Sequence, residues 1–151
     1  MDYMDEALKE AYEGIEKGHG GPFGCVIVKK GEIIGRGHNR VLLKHDPTCH
    51  GEMEAIRDAC EKMDSHDLSG CELYTTAEPC PMCLGAIMWA NIDKVYYGCN
   101  VNDTDSIGFR DNKFYDYLNG RDDSLVLEEN NRAECQKLYE KYVNDKTATR
   151  Y

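Results

Sequence analysis

A three-layer α/β/α domain around a mixed sheet is the fold class this sequence predicts, and three observations carry the prediction. Short β-rich runs alternate with segments of helical period along the chain. Two of those runs, Phe23–Lys29 and Glu32–His38, meet at Lys30-Gly31 as a hairpin, which makes the sheet mixed rather than wholly parallel. At 151 residues the chain is the size of one domain and can bury a real core.

The elements follow in order. Met4, Ala7, Leu8, Ala11, Tyr12 and Ile15 recur at helical spacing, so Tyr3–Lys17 reads as an amphipathic helix that Gly18-His19-Gly20-Gly21-Pro22 ends. After the hairpin a polar stretch leads into Asp46-Pro47-Thr48, a helix-start signal. Met53, Ile56, Cys60 and Met63 then keep helical period over Cys49–Met63, with His50 and Glu52 in the first turn. Cys71–Thr76 is a strand. Pro79 and Pro81 suit the opening of a helix over Cys80–Ala90, apolar nearly all round and therefore expected to be buried. Lys94–Cys99 is a further strand, and Asn100–Gly120 is polar and turn-rich with aromatic anchors. Ser124–Leu127 reads as a fifth strand and Asn130–Tyr142 as a last helix, with Ala133, Leu138 and Val143 as core contacts. Residues 144–151 have no period.

Composition narrows the function. A formal net charge of −10 disfavours a nucleic-acid-binding surface, which neutralises phosphates with basic patches. No apolar run is long enough to span a bilayer and the acidic N-terminus lacks a signal-peptide core, so a cytoplasmic protein is expected. Of the eight cysteines, Cys25, Cys60, Cys71 and Cys99 lie in apolar periodic segments and read as buried, reduced, hydrophobe-like residues.

Cys80 and Cys83 differ. Their C-x-x-C spacing, with His50 as a third donor, matches zinc chemistry. Three protein ligands leave a coordination position open for water, the mark of a catalytic rather than a structural site. Glu52, two residues past His50, is placed to handle that water's protons. Both segments stand at helix N-termini, where partial positive charge lowers thiolate pKa and favours anions. His19, His38, His45 and His66 show no ligand spacing, and the absence of H-E-x-x-H removes a zinc protease.

H-x-E…P-C-x-x-C is the arrangement of zinc nucleobase deaminases. The chain resembles the cytidine-deaminase-like superfamily, and within it the guanine deaminase and nucleoside deaminase branch. Gly20-Gly21-Pro22-Phe23-Gly24, Asp46-Pro47-Thr48, His50-x-Glu52, Glu78-Pro79-Cys80-Pro81-Met82-Cys83-x-Gly85-Ala86-Ile87 and Gly108-Phe109 carry the resemblance. It implies a five-stranded mixed sheet between helices, one zinc per subunit and a homodimer. It also implies a single deaminase domain over 1–151, whose tail 144–151 swaps between subunits or closes a site as a lid. His50, Cys80 and Cys83 would hold zinc and Glu52 would shuttle protons. Asn39 would meet the base edge, Phe23 and Trp89 its ring faces, with Gly51 beside them. Asp111 would accept guanine's ring N–H donors, and Tyr151 would be the lid.

Four features depart from the guanine deaminase pattern, and one of them, the run Gly35-Arg36-Gly37-His38-Asn39, is more similar to fungal-type cytosine deaminases. Gly51 stands between the histidine and the glutamate, Arg110 stands where an acid is common, and Cys49 precedes the ligand. The expected reaction is zinc-dependent hydrolysis of guanine to xanthine and ammonia. Cytosine, guanosine or another nucleoside are the alternatives, followed by tRNA adenosine and a non-catalytic zinc module.

Overall fold

A computed structural model, describing residues 2–151, opens with helix α1 (Tyr3–Glu16), strand β1 (Gly24–Lys29) and strand β2 (Glu32–His38). Helices α2 (Val41–Lys44) and α3 (Gly51–Met63), strand β3 (Cys71–Ala77), helix α4 (Pro81–Trp89) and strand β4 (Lys94–Cys99) follow. Helices α5 (Val101–Ser106), α6 (Asp111–Leu118) and α7 (Arg132–Asn144) complete the chain.

The strands form one sheet in the order β2-β1-β3-β4. β1 runs antiparallel to both neighbours and β3 parallel to β4, so the sheet is mixed as expected. Lys30 and Gly31 both take positive φ, the backbone that a two-residue hairpin requires. β1 is buried along nearly its whole length because helices cover both its faces. Its alternation divides the core: Cys25 and Ile27 pack with Leu73, Ala55, Ala59 and Ile87 on the α3/α4 side. Val26 and Val28 pack with Ala7 on the α1 side. At Gly24 a Cβ would come within 2.1 Å of the Ala7 carbonyl oxygen, so a glycine lets the start of β1 lie directly on α1. Likewise, a Cβ on Gly37 would meet the Glu54 Cβ at 2.6 Å, which presses β2 against α3.

The structure corrects several expectations. The sheet has four strands, not five. Ser124–Leu127 pairs with no strand, and Leu125, Val126 and Leu127 are exposed, since apolar residues become a strand only where a sheet edge runs beside them. Helix α4 buries Cys83 and Ile87, while Met88 and Trp89 are 70% and 66% exposed, because only one of its faces meets the sheet. Helix α7 buries no residue, so Ala133, Leu138 and Val143 make no core contact. Cys99 is exposed on the edge strand, whereas Cys25 and Cys71 are buried and Cys60 is half-buried; all eight thiols are free. No helix among the described residues is long and apolar enough to cross a membrane.

Candidate active site

Two helix starts converge on one point. His50 is the N-cap of α3, with extended backbone at φ −70° and ψ 161°, rather than a member of the first turn. Cys80 is the N-cap of α4 with an equally extended backbone, and Pro81 opens the helix where no N–H partner is needed. One turn further on, Cys83 is fully buried. His50 Nδ1 lies 3.5 Å from Cys80 Sγ and 3.6 Å from Cys83 Sγ. A nitrogen at about 2.1 Å and a sulfur at about 2.3 Å from a tetrahedral zinc are about 3.6 Å apart. The three donors therefore fit zinc in type and in spacing, and they form one of the potential metal-holding groups of the chain.

The electrostatics agree. A hydrogen bond from the Cys83 thiol, helped by His50, brings the Cys80 thiol down to about 4 against its burial. Beside that thiolate the Cys83 thiol is pushed up, and a metal bound by both sulfurs would have to displace its proton. The Cys80 hydrogen bond in turn raises His50. Glu52, in the first turn of α3, is 6% exposed and burial raises its carboxyl, which suits a group that must both take and give a proton.

A cavity of about 490 Å³ opens over this point, lined by His50, Glu52, Cys80, Phe23, Asn39 and Asp111. Phe23 meets Phe109 edge to face, with ring centroids 4.9 Å apart. The Asn39 side-chain oxygen accepts the Val41 N–H at 3.0 Å, which fixes the amide at the cavity wall. Asp111 opens α6 half-buried, and burial, followed by the nearby Cys80 charge, raises its carboxyl. Helix α6 is tied to the metal-site loop by Tyr115, whose hydroxyl donates to the Pro79 carbonyl at 2.6 Å. Gly51 is buried behind the wall, where a Cβ would meet the Phe23 carbonyl oxygen at 3.2 Å.

Trp89 and Tyr151 stand apart from the cavity within the chain. Trp89 is two residues past the inward-facing Ile87, about 200° around the helix, and so points outward. Tyr151 packs against it at 5.9 Å between centroids and against His66 at 5.8 Å. Pattern reading assigns no cavity role to Val41, Leu42, Pro47 or Glu78, all of which line it. The Asp46-Pro47-Thr48 motif was the available signal for Pro47; α2 has none, being a four-residue turn. Arg110 is exposed at the cavity rim, with its guanidinium 5.6 Å from the centre of the Phe114 ring.

Residues 1–99 match the family described as the cytidine and deoxycytidylate deaminase zinc-binding region. A guanine deaminase of Bacillus subtilis is 48% identical over 113 residues, covering 75% of this chain and 72% of that protein. Its crystal structure superposes over 100% of this chain and 99% of its own, with a TM-score of 0.94 and 37% identity. A guanine deaminase from Nitrosomonas europaea has a TM-score of 0.69 at 30% identity, covering 91% of this chain and 81% of that one. A tRNA-specific adenosine deaminase of Aquifex aeolicus is 47% identical over 95 residues, which are 63% of this chain and 62% of that protein. The chain belongs to the cytidine and deoxycytidylate deaminase family.

Proposed function

We propose that this member of the family is a zinc aminohydrolase that converts guanine to xanthine and ammonia. The observation that carries the reading is one cavity that joins the His50/Cys80/Cys83 centre and Glu52 to Asn39 and Asp111. Likeness over the whole chain to a guanine deaminase supports the same substrate. The tRNA deaminase likeness covers a shorter part of the chain, and the net charge of −10 disfavours an RNA surface.

His50, Cys80 and Cys83 would hold one zinc in each subunit's catalytic centre. Zinc bound there supplies a water activated near neutral pH. Glu52 takes a proton from that water as its oxygen adds to the ring carbon bearing the amino group. The same carboxyl gives the proton to the neighbouring ring nitrogen. It then carries the second proton to the amino group, which leaves as ammonia while the carbon keeps the oxygen as a carbonyl. Asp111 accepts two N–H donors of guanine, and the Asn39 NH2 donates to an acceptor on the base edge. Phe23 covers one ring face.

The same reading extends to assembly. The exposed faces of α4 and α7 suit a homodimer in which residues 144–151 reach the partner and Tyr151 closes its cavity. In that arrangement Trp89 borders the base only in the assembled dimer. A cytoplasmic location belongs to this proposal.

Ammonia release against guanine, cytosine, guanosine and adenosine in parallel tests it. Guanine turnover that is lost in Glu52→Ala and sharply weakened in Asp111→Asn is the expected result. Turnover of cytosine alone would retain the zinc chemistry and remove the guanine roles of Asp111 and Tyr151.

A further inference from the structure

Three consecutive residues of the metal-site loop hold three different parts of the molecule. Cys80 belongs to the donor group with His50 and Cys83. The Glu78 carboxylate accepts the N–H of Val101, the first residue of α5, at 3.2 Å. The Pro79 carbonyl accepts the Tyr115 hydroxyl of α6 at 2.6 Å. The direction of that last bond is fixed by chemistry, because a carbonyl has no proton to give. Burial, followed by the charges of Glu78 and Cys80, raises the Tyr115 pKa and keeps the hydroxyl a donor. Pro79 is buried, and the first rung of α4 is the Leu84 N–H on the Cys80 carbonyl, so the Tyr115 hydroxyl is the partner of a buried acceptor outside the helix.

Helix α6 has little else to hold it. It is eight residues long, buries none of them and has no side-chain bond at its N-cap. A helix of that length is marginal by itself and takes its place from tertiary contacts. Asn112 and Tyr117 bond to later parts of the chain, the Asn102 side chain at 3.4 Å and the Leu125 carbonyl at 3.2 Å. Among the described residues, the Tyr115 bond is the one hydrogen bond that joins α6 to the chain before Asn100. Phe109 pins the approach to the helix by packing on Phe23, and Tyr115 pins the helix itself.

Tyr115 is four residues past Asp111, so the two stand one above the other on one face of α6. Both are half-buried there, whereas Lys113 and Phe114 are exposed. We infer that Tyr115 is the positioning residue for Asp111: its hydroxyl, anchored on the Pro79 carbonyl, sets where Asp111 stands on the metal-site cavity. The inference rests on the proposed guanine reading, in which Asp111 accepts N–H donors of the base. The loop that carries Cys80 then also registers the base-binding carboxylate against the metal donors. Such registry matters because a misplacement of about 1 Å can cost about 10²-fold in rate.

Steady-state guanine deamination by Tyr115→Phe, Asp111→Ala and the double variant tests the role. Tyr115→Phe removes one hydroxyl from a helix that buries no residue, so the variant should fold and retain its zinc. Its kcat/KM for guanine should fall by about 10–100-fold. The loss should lie chiefly in KM, because Asp111 holds the base before and during the reaction alike. In the Asp111→Ala background the same hydroxyl should matter by less than about twofold, since nothing is left to position. Tyr117→Phe is the control on the same helix, because its hydroxyl bonds the carbonyl of the exposed Leu125. It should change kcat/KM by less than about twofold. Full guanine turnover in Tyr115→Phe would overturn the role, as would a loss equally large without Asp111 or in Tyr117→Phe. Loss of zinc from Tyr115→Phe would also overturn it, by making the hydroxyl a support of the metal loop alone. No guanine turnover by the unaltered protein would instead sink the substrate reading, and this role with it.

Discussion

The two ends of this chain have the same raw materials and use them differently. Between Gly24 and Ala90 a core is enclosed, with Ile27, Leu68 and Leu73 fully buried between sheet and helices even though Leu42, Met88 and Trp89 face outward. Beyond Asp111 comparable residues are not enclosed. Leu125, Leu127, Leu138 and Val143 are all more than 60% exposed, and neither α6 nor α7 buries a residue. The metal donors and Glu52 stand on the enclosed part, where packed helices hold side chains in place. Asp111, on the cavity wall, stands on the first element of the loosely packed part. The difference teaches that the metal donors stand on a scaffold that one chain completes, while the segment beyond Asp111 presents apolar side chains that one chain leaves uncovered.

The contrast can be broken or sharpened by experiment. Its sharpest form is catalytic: Glu52→Ala should lower turnover by about 10²–10⁴-fold with the bound zinc retained, as read by steady-state rates and metal content. Removing buried volume comes next. Leu73→Ala should destabilise the fold by about 2–5 kcal/mol in urea unfolding, because the core beside it cannot collapse fully.

A third expectation concerns the enclosed part alone. Glu54 is buried and bonds Arg40, Lys44 and Arg57 at 3.1, 2.9 and 2.8 Å. Burial by itself would raise its carboxyl, but the hydrogen bonds from Lys44, Cys49 and Arg57 outweigh it and lower the pKa from an ordinary 4.5 to about 2. With the folded value below the unfolded one, this stabilisation is complete above about pH 4.5 and is lost as pH falls towards 2. It is on the order of 3 kcal/mol, and unfolding of Glu54→Gln across that window should lack the corresponding slope. The smallest effect belongs to the other region. Leu138→Ala should change the stability of the isolated chain by less than about 0.5 kcal/mol. A larger loss that grows with protein concentration would show that a second copy covers α7.

Most of the enclosed part could be read from local pattern. The hairpin at Lys30-Gly31, the strand at Cys71 and the helix starts at His50 and Cys80 depend on period, turn residues and caps, all of which are short-range properties. The metal set was legible for the same reason, since C-x-x-C spacing and H-x-E carry their chemistry within a few residues. Ser124–Leu127 failed because a strand needs a neighbouring edge, and no local pattern supplies one. The outer face of α4 failed because an apolar helix declares that it will be covered without saying by what.

The amino-acid sequence by itself determined the main strands and longer helices of the first hundred residues and the His50, Cys80 and Cys83 donor set with Glu52 near it, since each follows from side-chain chemistry and near-neighbour spacing. Only the tertiary structure decided that the sheet stops at four strands. It also placed Asp111 on the metal-site cavity and left Trp89 outside it. It brought the Tyr115 hydroxyl of α6 to the Pro79 carbonyl beside the metal donors. Each of those outcomes depends on the close packing of segments far apart in the chain, where the decisive quantity is a distance through space.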